Sequence, residues 1–147
     1  SYKPHSPVIE ESQGIQIVEA LTRLSVRVVA YDPQARANAR AHLNGKVMVL
    51  DSLADCLYYA DVVVVANDDP TFKALTPEQF GQGNDSVVVL DAWRCLSNEV
   101  QSSERVHYIG FGSCSSPDTW DEHMASLWNP SKVETEKSAE TVLRAAM

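Results

Sequence analysis

With 147 residues, 44% of them hydrophobic and 22% charged, the chain has the size and make-up of one globular domain around one buried core. Twelve Lys and Arg against twenty Asp and Glu leave a net charge of −8, which excludes a nucleic-acid surface built on phosphate neutralisation. No apolar run approaches the roughly 20 residues that span a bilayer and no charged-then-apolar leader opens the chain, so a cytoplasmic domain with no membrane partner is expected.

In chain order, Ile15, Val18, Leu21 and Leu24 mark one apolar helical face, with Ser12 placed to cap it and Glu10 and Glu11 just ahead. Val26 to Tyr31 is a β-branched run stopped by Asp32-Pro33. Residues 34–43 read as a helix closed by Asn44-Gly45, two residue types that tolerate a left-handed backbone. Val47 to Leu50 is a short strand, and Ser52-Leu53-Ala54-Asp55 resembles a capping box opening a helix to about Ala60. Val62-Val63-Val64-Val65 predicts a central strand covered on both faces. A loop at 67–70, a short helix around Phe72 to Leu75, a buried strand at 87–90 ending on Asp91 and a weaker strand at 106–109 complete the pattern.

Strand and helix alternate throughout. The fold class is therefore α/β: a three-layer Rossmann-like open parallel sheet with helices on both faces. The helix at Ile15 needs a strand before it, yet only Ser1 to Lys3 precedes the turn. That shortage, and an opening without Met, are expected of a piece of something longer. Residues 1–114 form the domain and 115–147 a tail that packs on it or extends from it, with Trp120 and Trp128 as anchors. From Glu134 onward a helix or a frayed end is expected.

Ligands of such sheets bind outside the carboxyl ends of the strands, which singles out Lys3, Asp32, Asp51, Asn67, Asp68, Asp91 and Arg94. Asp51 and Asp69 read first as helix caps or turn formers. Asp32 stands where a dinucleotide fold keeps its ribose acid, but the turn Glu10-Glu11-Ser12-Gln13-Gly14 has one glycine and two carboxylates, a poor cradle for a pyrophosphate. Lys3 and Arg94 are the cations at the rim suited to a diphosphate, with ion pairs to Asp91 or Glu11 as the competing role. The acids Asp32, Asp68, Asp69 and Asp91 lack the lysine a phosphoacceptor pocket needs, and no metal site is expected. Cys56, Cys95 and Cys114 have no zinc spacing and read as plain thiols, and His5, His42, His107 and His123 show no ligand spacing.

The opening Ser1-Tyr2-Lys3-Pro4-His5-Ser6-Pro7-Val8-Ile9-Glu10-Glu11-Ser12-Gln13-Gly14, with Val28-Val29-Ala30-Tyr31-Asp32-Pro33, Ala60-Asp61-Val62-Val63-Val64 and Leu90-Asp91-Ala92-Trp93-Arg94, resembles the C-terminal, UDP-binding domain of the UDP-glucose/GDP-mannose dehydrogenase family over about residues 1–112. The resemblance implies an enzyme that oxidises the C6 alcohol of a UDP-sugar with NAD. It implies an N-terminal NAD-binding domain carrying the catalytic cysteine, a homodimeric parent, and Lys3 and Arg94 as substrate contacts, with Lys3 also reaching the cofactor. No catalytic residue falls in this chain, which by itself is expected to be inactive. The family arginine of the opening motif stands here as Glu10, while Glu11-Ser12 keeps the following pair. A stand-alone Rossmann-like binding or interaction module without redox activity is the other reading.

Overall fold

A computed structural model describes residues 6–58, 60–82, 86–112 and, by its backbone, 142–146. Lys3, the tail anchors Trp120 and Trp128, and Cys114 lie outside the described residues. Helix α1 (Gln13–Arg23) leads to β1 (Arg27–Tyr31), α2 (Arg36–Leu43), β2 (Met48–Val49), α3 (Leu53–Tyr58), β3 (Val62–Val65), α4 (Pro70–Lys73), a 3₁₀ turn (Pro77–Gln79), β4 (Val87–Asp91), α5 (Asn98–Gln101), β5 (Val106–Gly110) and β6 (Val142–Ala146). Local chemistry explains the boundaries. Ser12 caps α1, its Oγ accepting from the Ile15 amide at 3.4 Å. Asn44 ends α2 at φ 45° and Gly45 follows at φ 76°, the left-handed turn that their residue types permit. Ser52 accepts from the Asp55 amide at 3.2 Å ahead of α3. The four-residue α5, unforeseen from the sequence, is capped by Ser97 through the Val100 amide.

The six strands form one sheet in the order β2-β1-β6-β3-β4-β5, every pair parallel. Strand faces alternate strictly. Val28, Ala30, Val64 and Leu90 pack with α1 and α2 on one side. Val63, Val65, Val87 and Val89 pack on the other with Leu57 of α3, Phe72 of α4 and Val100 of α5. Val63, Val64 and Val65 are all buried, as a strand covered on both faces requires. The three-layer Rossmann-like expectation holds.

One element corrects the sequence reading. The segment expected as a helix or a frayed end contains β6, a central strand between β1 and β3. Its composition of Val, Leu, Arg and two Ala carries little strand signal, because Leu, Arg and Ala are good helix formers. What decides is the vacancy it fills: it pairs with β1 from Arg27↔Val142 to Tyr31↔Ala146 and with β3 from Val62↔Leu143 to Val65↔Ala146. Counting β6 as the first strand, the order becomes that of a doubly wound dinucleotide fold, 3-2-1-4-5-6. Among the described residues, the place of that order's first strand is taken by β6.

Candidate functional site at the carboxyl edge

In this topology the strand order reverses beside β6, so the crevice for a ligand lies beyond the carboxyl ends of β6 and β3. The residues that follow β1, β3 and β4 define it, together with the start of α1.

The acids at that edge are mostly engaged with backbone. Asp32, fully buried, accepts from the amides of Gln34 at 2.8 Å and Ala35 at 2.6 Å and so shapes the turn into α2. Asp69 accepts from the Thr71 amide at 2.9 Å and caps α4, the cap role expected of it. Asn67, buried, accepts from the Asp69 amide at 3.0 Å. Asp68 places Oδ2 3.9 Å from Lys73 Nζ, while its buried Oδ1 meets no hydrogen-bond donor among the described residues. Asp51, read as a helix cap or turn former, does not cap α3; Ser52, the expected start of the capping box, does. Asp51 is instead mostly exposed and pairs with Arg36 at 3.4 Å and Arg40 at 3.1 Å, clipping α2 to the end of β2, a pair of surface contacts worth little individually.

Asp91 organises the loop that carries Arg94. Its carboxylate is fully buried. One oxygen accepts from the Trp93 amide at 3.1 Å; the other accepts from the Leu96 amide at 3.0 Å and from the Tyr108 hydroxyl at 3.2 Å. Residues 92–96 are thereby wrapped around the carboxylate. Trp93 is pinned separately, its indole Nε1–H donating to Ala66 O at the end of β3 at 2.9 Å. Between these ties Arg94 adopts φ 50°, a left-handed backbone costing a non-glycine residue about 1–2 kcal/mol. Its side chain is exposed and makes no ion pair with another described residue. The competing role, a pair with Asp91, is thus not taken up: Asp91 is occupied by amides and a phenol. Sequence reasoning singled out Arg94 as a candidate but not Trp93, Tyr108 or the loop-forming role of Asp91; the Asp-x-Trp spacing of a side chain capping an amide two residues on was the available signal.

Two groups nearby are held protonated. Burial first, and the Asp91 charge second, push the Tyr108 phenol up to about 12 and the Cys95 thiol up to about 11. The Cys95 thiol donates to Asn67 O at 3.9 Å. A thiol so raised is no nucleophile near neutral pH, in line with the plain-thiol reading.

Among the described residues this edge offers no ordinary cradle for NAD. The turn before α1 exposes Glu10 and Glu11, and Asp32 offers no exposed oxygen to a ribose. Arg94, by contrast, makes no ion pair with another described residue, and its guanidinium is suited to a two-pronged contact with a phosphate. A cavity of about 250 Å³ lies elsewhere, between α1 and α2, lined by Glu19, Arg23, His42 and Lys46 among others; there His42 Nε2 already meets Glu19 at 3.0 Å. Among the described residues no helix is long and apolar enough to cross a membrane.

Known proteins resemble the chain along most of its length. It is 30% identical over 114 residues to a UDP-glucose 6-dehydrogenase of Rickettsia conorii, an alignment covering 77% of this chain and 26% of the relative. It is 37% identical over 78 residues to the UDP-glucose 6-dehydrogenase AglM of Haloferax volcanii, covering 53% and 18%. With YwqF of Bacillus subtilis, another UDP-glucose 6-dehydrogenase, identity is 23% over 112 residues, covering 76% and 26%. The chain thus spans about a quarter of the length of the relatives it matches. No solved structure gives a significant match. Residues 1–98 match the family described as UDP-glucose/GDP-mannose dehydrogenase, UDP binding domain, and the chain belongs to that family.

Proposed function

We propose that this chain binds the UDP part of a nucleotide sugar and serves as the nucleotide-binding domain of an NAD-dependent UDP-sugar 6-dehydrogenase, the enzyme type that turns the C6 alcohol into a uronate. The observation that carries the reading is the loop cinched around Asp91, which sets the exposed Arg94, without an ion pair among the described residues, beyond the carboxyl end of β4. On a protein of net charge −8, a diphosphate needs such a local inversion of the field. Lys3, from the segment ahead of α1, is the second cation of the site and the one that also reaches the cofactor. NAD is bound mainly by a separate N-terminal domain of a homodimeric, cytoplasmic parent protein, because the edge described here repels a second pyrophosphate. That domain also supplies the nucleophile, so this chain alone forms no NADH from UDP-glucose and NAD.

Calorimetric titration with UDP tests the reading. Binding is expected, and Arg94→Ala is expected to weaken it by about 1.5–3 kcal/mol, the worth of a charge-assisted contact. Equal affinity of the variant removes Arg94 from the site.

A further inference from the structure

Among the described residues the largest apolar side chain left exposed is Trp93, at 51%. The Ala92 amide donates to Val65 O at 3.1 Å and carries the β3–β4 ladder one residue beyond β4. Trp93 is the first residue past that point. Its own amide is held by the Asp91 carboxylate at 3.1 Å, and its indole Nε1–H by Ala66 O at 2.9 Å. These two ties, one on the backbone and one on the ring, fix the indole against the carboxyl end of β3. The indole has a single donor and no acceptor, and here that donor is already engaged. What the half-exposed ring still offers a ligand is its π face.

Arg94 follows at φ 50°, a left-handed backbone that is strained for a non-glycine residue. It is exposed and makes no ion pair with another described residue. An immobilised aromatic face and a guanidinium therefore stand on consecutive residues, with Cα atoms about 3.8 Å apart, at the edge where ligands of such sheets bind. That pairing has the chemistry of a nucleotide's two halves: a ring that stacks and phosphates that take a two-pronged cation. A ring fixed before the ligand arrives also loses little freedom on binding.

We propose that Trp93 is the stacking platform for the nucleobase and that it acts with Arg94 as a two-part determinant for a nucleoside diphosphate. The inference deepens the UDP-binding reading and rests on it. By that reading the hexose, with its reacting C6, is turned toward the NAD-binding domain, which leaves the base to this chain. Because every base has a π face, the platform supplies affinity rather than a choice among bases.

Calorimetric titration of the full chain with UDP and, separately, with inorganic pyrophosphate tests this. Trp93→Ala is expected to weaken UDP binding roughly tenfold or more, the order of one lost base–aromatic stack, and to leave pyrophosphate affinity unchanged. Trp93→Phe, which keeps an aromatic face without the tie to Ala66, is expected to recover part of the loss. Equal UDP affinity of Trp93→Ala and the unmodified chain overturns the platform, while the UDP-binding reading stands. Loss of UDP and pyrophosphate affinity by the same factor overturns it as well, since Trp93 then only holds the loop. Failure of UDP to bind the unmodified chain overturns both readings. If Trp93→Ala does not fold, the tryptophan emission of the unmodified chain decides: quenching by UDP but not by pyrophosphate supports the stack, and UDP binding without quenching overturns it.

Discussion

Asp91 does the most with one side chain. Removing its carboxylate leaves the amides of Trp93 and Leu96 and the hydroxyl of Tyr108 without their acceptor. Asp91→Ala is expected to lower stability by about 3 kcal/mol or more, read from denaturant unfolding. Arg94→Gly separates strain from function: with its left-handed backbone relieved, the variant is expected to be at least as stable as the parent while losing UDP affinity. Tyr108 gives a pH signature. Its raised value means that the folded state holds the phenolic proton more tightly, so this contribution is complete below pH 10.0 and is lost as pH rises toward about 12. Tyr108→Phe is expected to flatten that alkaline loss of stability. At Cys95, alkylation followed by peptide mass is expected to be slow at neutral pH and to quicken about tenfold per pH unit until about 11. Arg94 stands out as a candidate from the chain alone because cations are scarce at strand ends. The grip on its loop does not, since one of the three donors comes from Tyr108, 17 residues away on β5.

Among the elements, those with a strong local period were readable and those without were not. The valine runs of β3 and β4 and the apolar face of α1 carry their own signals. Strand β6 carries none; it is a strand because two edges stand ready on either side of it, a tertiary fact. Helix α5, four residues long, is too short for the helical period to repeat. The turn after α2 tests the local reasoning directly. Gly45 sits at φ 76° with nothing within 4 Å of an added Cβ, so the cost of a side chain there is backbone strain alone. Gly45→Ala is expected to destabilise by about 1 kcal/mol, measured as a shift in the unfolding midpoint with unchanged slope.

At the scale of the whole molecule, an acidic protein presents one edge where the charges are sorted. Asp32 after β1 and Asp91 at the end of β4 are turned inward onto backbone amides, and Arg94 is exposed. The doubly wound order is completed by β6, far in sequence from the strands β1 and β3 that flank it. The measurement closest to this account is an amide-resolved NMR titration of the full chain with UDP. Shifts are expected at the start of α1, at 66–68 after β3 and at 92–96 after β4, and Arg94→Ala is expected to diminish them all. Shifts confined to Glu19, Arg23, His42 and Lys46, between α1 and α2, would contradict it and move the ligand to the other cavity.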